Sequence, residues 1–148
     1  MIALLFNMNH LWEEYIFQTL KKKLGQQYLV HQPTKPLFTT KGYRLEPDIV
    51  MTERESGEHI VIDTKWKKPR NGKANIHDLR QIYTYNRFWN AEHGFLVYPG
   101  HETKVELLAY AEGGGYKCGL VYLDLIENRK KDLDLGFLKV VEDEGGYI

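Results

Sequence analysis

At 148 residues the chain has the length of one domain and enough residues to bury a core. With 43% hydrophobic and 27% charged residues it is neither collagen-like, coiled-coil nor wholly disordered. Twenty Lys+Arg against twenty Asp+Glu give zero formal net charge, which counts against a generic nucleic-acid binder.

The start, Met1 to Phe6, is apolar but carries no basic residue before Asn7, so it fails as a signal peptide. No apolar run approaches the roughly 18 residues of a membrane span. The single cysteine, Cys118, excludes an internal disulfide and points to a reducing, cytoplasmic setting. Helical spacing of Met8, Leu11, Trp12, Tyr15, Ile16, Thr19 and Leu20 predicts a helix from Asn7 to Gly25, with Asn9 as its cap and Lys21 to Lys23 at its end. Gln27 to His31 reads as a short strand ended by Pro33 and Pro36. Arg44 to Thr52 reads as a strand with Pro47 at its start or edge. Glu55-Ser56-Gly57 signals a hairpin turn. From His59 to Lys67, Ile60, Ile62, Thr64 and Trp66 point one way; Val61, Asp63, Lys65 and Lys67 point the other.

Pro69 to Lys73 is a polar loop. Asn75 with Asp78 resembles a capping box opening a helix to about Asn90, with Ile76, Leu79, Ile82, Tyr83 and Asn86 on one face. Gly94 to Tyr98 reads as a buried strand, followed by strands at Val105 to Ala111 and Gly119 to Leu125. Leu135 to Val141 is expected as a last strand before an acidic tail. The order implies an α/β fold, a mixed sheet flanked by helices, in one domain spanning 1–148.

The chemistry concentrates at Pro47-Asp48 and Asp63-Thr64-Lys65. Residues two apart on a strand share a face, so Asp63 and Lys65 project together, and a hairpin brings Asp48 beside them. Two close carboxylates disfavour joint ionisation. A hard divalent cation offsets that repulsion, and Mg²⁺ commonly takes one or two carboxylates with water and phosphate oxygens. Taken alone, an Asp-x-Lys is more often a surface salt bridge. Here it ends the apolar run Ile60-Val61-Ile62, where charge needs a reason. Lys65, Lys67, Lys68, Arg70 and Lys73 form a basic run, either phosphate contacts or a solvated loop. The six histidines show no zinc spacing, and Gly113-Gly114-Gly115 lacks the pattern of a phosphate-binding loop.

Leu11-Trp12-Glu13-Glu14-Tyr15-Ile16, Ile62-Asp63-Thr64-Lys65-Trp66-Lys67, Asp78 to Tyr85 and Gly94 to Pro99, together with Pro47-Asp48, resemble the PD-(D/E)xK nuclease superfamily. Within it the resemblance is to the C-terminal nuclease domain of McrC, the cleaving subunit of McrBC-type modification-dependent restriction systems. It covers roughly residues 8 to 125 in motif order. The resemblance implies a restriction-endonuclease-like core in α-β-β-β-α-β order and a Mg²⁺-dependent DNA endonuclease, with Mn²⁺ able to substitute. Asp48 and Asp63 would hold the metal with the Thr64 carbonyl, Lys65 would be the catalytic lysine, and Glu13 the accessory acid. Gln81 and Tyr85, four apart on the second helix, would face the site or the DNA with Lys67, Lys68, Arg70 and Lys73. Implied partners are DNA, including methylated DNA, a McrB-like GTP-driven motor, and a second copy for double-strand cleavage. The N-terminal motor-binding region of McrC is not expected in these residues. Two other readings stand beside this one: a non-cleaving partner- or DNA-binding module of nuclease fold, and a stand-alone repair or junction-resolving nuclease.

Overall fold

A computed structural model of the chain describes residues 7–67, 73–124 and 135–141. Lys68, Arg70 and the acidic tail lie outside them. The first helix, α1, spans Met8–Leu24. Asn7, rather than Asn9, caps it by accepting from the His10 N–H at 3.3 Å. Only Trp12, Ile16 and Leu20 of its expected apolar face are buried. Met8, Leu11 and Tyr15 are exposed, so the face is one row at i, i+4 and i+8 rather than a broad stripe.

Four strands follow: β1 (Tyr28–His31), β2 (Lys35–Pro36), β3 (Arg44–Leu45) and β4 (Ile49–Glu53). The strand expected from Arg44 to Thr52 is therefore split. Pro47 is buried and cannot donate to a ladder, and the chain breaks from Glu46 to Asp48. β2 and β3 form a separate two-stranded hairpin. Gly57, at φ +77°, turns the chain from β4 into β5 (His59–Thr64). Helix α2 (Ile76–Phe88) then crosses to β6 (His93–Gly100), followed by β7 (Lys104–Ala109) and β8 (Lys117–Asp124). The segment expected as a final strand is instead a 3-10 turn at Gly136–Leu138, with Phe137 and Leu138 buried. No helix among the described residues is long and apolar enough to cross a membrane.

The sheet order is β1-β4-β5-β6-β8-β7. The β1–β4, β4–β5 and β7–β8 pairs are antiparallel; β5–β6 and β6–β8 are parallel. This is a mixed sheet flanked by helices, a restriction-endonuclease-like fold. Strand alternation divides the core in two. Ile49, Met51, Ile60 and Ile62 pack with α1, whereas Val50, Val61, Leu96 and Leu120 pack with Ile82 and Tyr85 of α2. Each fully buried Ile or Leu contributes roughly 1.5–3 kcal/mol. The buried face of α2 is Asp78, Ile82, Tyr85 and Asn86: Ile82 and Asn86 of the expected face are buried, whereas Ile76 is exposed and Asp78 and Tyr85 turn inward. Gly94 lets α2 approach the sheet closely: a Cβ there would meet Asn86 Oδ1 at 2.7 Å and Ile82 Cγ1 at 2.9 Å.

Candidate active site

Asp48 stands at the entry to β4, directly after Pro47, where strand pairing is interrupted. Its Oδ2 accepts from both the Thr64 N–H at 2.7 Å and the Thr64 Oγ1 hydroxyl at 2.8 Å. Those two bonds fix the carboxylate against the end of β5. Asp63, the preceding residue, is only 2% exposed. Burial, then the neighbouring Asp48 charge, push its carboxyl up to about 7, against the pull of the Lys65 ammonium.

Lys65 follows β5, and its N–H donates to the Val97 carbonyl at 2.9 Å, extending the register with β6. Its Nζ lies 2.7 Å from Asp63 Oδ2 and donates to Gln81 Oε1 at 3.0 Å. Asp78 Oδ1 is 3.8 Å away. Burial opposes the Lys65 charge, but Asp63, Asp78 and Asp48 outweigh it and hold the ammonium above its ordinary range. Lys65 is thus a fixed cation at neutral pH, with acceptors from β5 and α2. Gln81 in turn donates through Nε2 to the Tyr85 hydroxyl at 3.1 Å. Burial and Asp63 push that phenol up to about 12, so it stays protonated.

Asp78 is a member of this cluster that sequence reasoning assigns elsewhere. It does not serve as the capping partner of Asn75, which accepts from the His77 N–H. It is buried and bound to Lys67, with Nζ 2.7 Å from Oδ2. The available signal was helical spacing: Asp78, Gln81 and Tyr85 fall at i, i+3 and i+7. Lys67 therefore faces α2 within the site. Lys73 is exposed, and no contact in the described structure joins it to the cluster.

Helix α1 closes the opposite side. The Trp12 indole N–H donates to the same Val97 carbonyl at 3.1 Å, and Asn9 Oδ1 accepts from the Trp66 N–H at 3.3 Å. Glu13 is half-buried and accepts from Gln32 at 3.1 Å. Burial and then Asp48 raise its pKa, so it lies within the field of the carboxylate pair. Glu14 is exposed and accepts from Gln18.

Among the described residues, no group of three or more His, Cys, Asp or Glu side chains is gathered as a complete metal cage. The Asp48–Asp63 pair nevertheless fits a hard cation. It offers carboxylate oxygens, one of them in Asp63, whose carboxyl is raised by burial and then by the Asp48 charge, and Mg²⁺ needs no more than one or two carboxylates. The cluster lies at the carboxyl end of the parallel strand β5, where open α/β sheets place their sites. At the other end, a cavity of about 490 Å³ is lined by His59, Glu92 and His93.

Among the solved structures that match, one does so over 82% of this chain with a TM-score of 0.67 and 19% identity. It is a chain of the refined half-complex from a tetradecameric assembly of Thermococcus gammatolerans McrB AAA+ hexamers with bound McrC. The present chain spans 29% of that chain's length. None of the curated proteins matches in sequence. The family model for the McrBC 5-methylcytosine restriction system component matches residues 1–99, and the chain belongs to that family.

Proposed function

We propose that this chain is the nuclease part of a McrBC-like modification-dependent restriction system, and that it hydrolyses DNA phosphodiester bonds with Mg²⁺. The observation that carries the reading is the Asp63–Lys65 ion pair set beside Asp48 at a sheet end. Drawing two carboxylates and an ammonium together out of water is costly unless the charges are used or fully paired. Here the negative charge exceeds the positive: Asp48, Asp63 and Asp78 face Lys65 and Lys67.

Asp48 and Asp63 would hold the metal, with the Thr64 carbonyl and Glu13 completing the set directly or through water. Bound there, Mg²⁺ supplies a more acidic water and a counter-charge for the phosphoryl oxygens. The side chains do the rest. Thr64 keeps Asp48 in one orientation through two donors. Lys65 presents an ammonium that offsets charge developing on the attacked phosphate. Gln81, oriented by Tyr85, holds that ammonium against sideways displacement. In-line attack by water leaves a 5′-phosphate and a 3′-hydroxyl. The likeness to a chain from a McrB–McrC assembly supports a McrB-like motor as the partner that delivers DNA.

Plasmid nicking tests the reading. The chain is expected to nick supercoiled DNA with Mg²⁺ or Mn²⁺ and not with EDTA. Asp63→Ala and Lys65→Ala should each lower the rate by at least about 10²-fold, in the range lost when a positioned electrostatic group is removed. Undiminished nicking by folded variants would overturn the site assignment.

A further inference from the structure

The hairpin β2–β3 carries an aromatic tip. Phe38 and Tyr43 are 52% and 67% exposed and pack edge-to-face, with centroids 6.1 Å apart. With Leu37, also exposed, they form a cluster of apolar side chains rather than a scattered single residue, and such patches mark contact sites. The base of the hairpin is held firmly. Leu37 N–H donates to the Tyr43 carbonyl, and Arg44 donates twice to Thr34 Oγ1, at 2.9 and 2.8 Å. Lys35 donates to the Phe88 carbonyl of α2 at 2.8 Å and sits over the Trp89 ring. The tip is thus an exposed platform on a tied stem.

Two further observations indicate what it meets. From Gln32 to Leu45 there is no acidic residue, while Lys35, Lys41 and Arg44 are basic, in a chain whose total charge is zero. The hairpin also runs straight into Asp48. From Tyr43 to Asp48 is about five residue steps, which at full extension span at most about 18 Å. That is about five steps along a DNA strand at roughly 3.4 Å each.

Resting on the nuclease reading above, we propose that this hairpin is a DNA-engaging element: Tyr43, at most about five nucleotide steps from the phosphate held at Asp48 and Asp63, and Phe38 packed against it contact bases unstacked from the duplex. Aromatic faces accept any base, so the contact positions DNA without reading its sequence. Lys41 supplies charge to the adjoining backbone.

The test uses the full chain, a short labelled duplex carrying 2-aminopurine, and Ca²⁺ in place of Mg²⁺ to keep the DNA intact. Wild type should change the 2-aminopurine fluorescence on binding. Phe38→Ala/Tyr43→Ala should lose that signal and bind about tenfold or more weakly, whereas Phe38→Trp should keep both. Lys41→Ala should weaken binding and flatten its salt dependence while keeping the signal. Melting curves confirm that the variants are folded. The inference is overturned if the double variant binds within about twofold of wild type, if wild type gives no base signal, or if the double variant loses self-association instead of DNA. Loss of nicking with hairpin-dependent binding intact would sink the nuclease reading alone. Nicking by wild type with hairpin-independent binding would sink this inference alone.

Discussion

Asp63 is a carboxyl that the fold holds against its ordinary preference. Its pKa is raised from 3.8 to about 7, so between those values the folded chain binds its proton more tightly than the unfolded chain does. The contribution of Asp63 to stability therefore falls as pH rises from about 4 to about 7 and is flat above. Glu13 shifts in the same direction. Lys65 titrates well above this window and adds no slope within it. In metal-free buffer, Asp63→Asn should gain stability relative to wild type as pH is raised from about 5 to about 8. Each tenfold difference in proton affinity that the substitution abolishes corresponds to roughly 1.4 kcal/mol. Asp48→Asn keeps an acceptor for Thr64 while removing the neighbouring charge, so it should be neutral or stabilising and should bring the Asp63 pKa down. Urea melts at the two pH values and an NMR carboxyl titration check both. A loss of several kcal/mol in Asp48→Asn, or an unmoved Asp63, would contradict the account. Mg²⁺ should stabilise wild type more at the higher pH, since protons compete for the same oxygens.

Helix α2 works as a single positioning element. One flank carries Asp78, Gln81 and Tyr85 to the site, and its seat on the sheet is set by Gly94 beneath Ile82 and Asn86. Asn86 is fully buried and donates to the Ala91 carbonyl at 2.8 Å, so it cannot readily give way. Gly94→Ala should therefore cost about 1–3 kcal/mol by overpacking. Because displacement of α2 also moves Gln81, which holds Lys65, nicking should fall. Thermal denaturation with single-turnover cleavage tests this; unchanged cleavage in a destabilised variant would separate the seat from the site. Local sequence reasoning finds this helix but misassigns part of its inner face. Ile82 and Asn86 of the expected face are buried, but Asp78 and Tyr85 replace Ile76 and Tyr83 beside them, and pairing of Asp78 with Lys67 decides that rotation. Asp48, Asp63 and Lys65 are legible because period-two alternation and one hairpin turn bring them together. The strand break at Pro47 and the 3-10 turn after Leu135 are less so, since short apolar runs do not distinguish strands from turns buried beneath a helix.

Across the whole molecule, zero net charge sits over an uneven distribution. In the sequence, basic residues run from Lys65 to Lys73 and from Lys35 to Arg44, while Asp63 and Asp78 gather with Lys65 and Lys67 at the site beside Asp48. Bound Mg²⁺ would offset two of the carboxylate charges at the site. With twenty cations balanced by twenty acids and no net field, the chain alone should bind DNA only in the non-specific range, roughly 10⁻⁶–10⁻⁴ M near physiological salt. Fluorescence anisotropy against salt checks this; nanomolar binding would argue that delivery by a motor is unnecessary for affinity.

The Asp48–Thr64 and Lys65–Gln81 hydrogen bonds each join residues 16 apart in the chain, whereas Trp12–Val97 joins residues 85 apart. Closing the longer loop costs about 1.5 kcal/mol more in chain entropy than closing either shorter one. The carboxylates, the lysine and its α2 partners thus belong to one contiguous run from Asp48 to Tyr85, whose contacts are inexpensive to form early. Helix α1 reaches the same centre only through distant pairings, so the chain separates the part of the site that assembles locally from the part that closes over it.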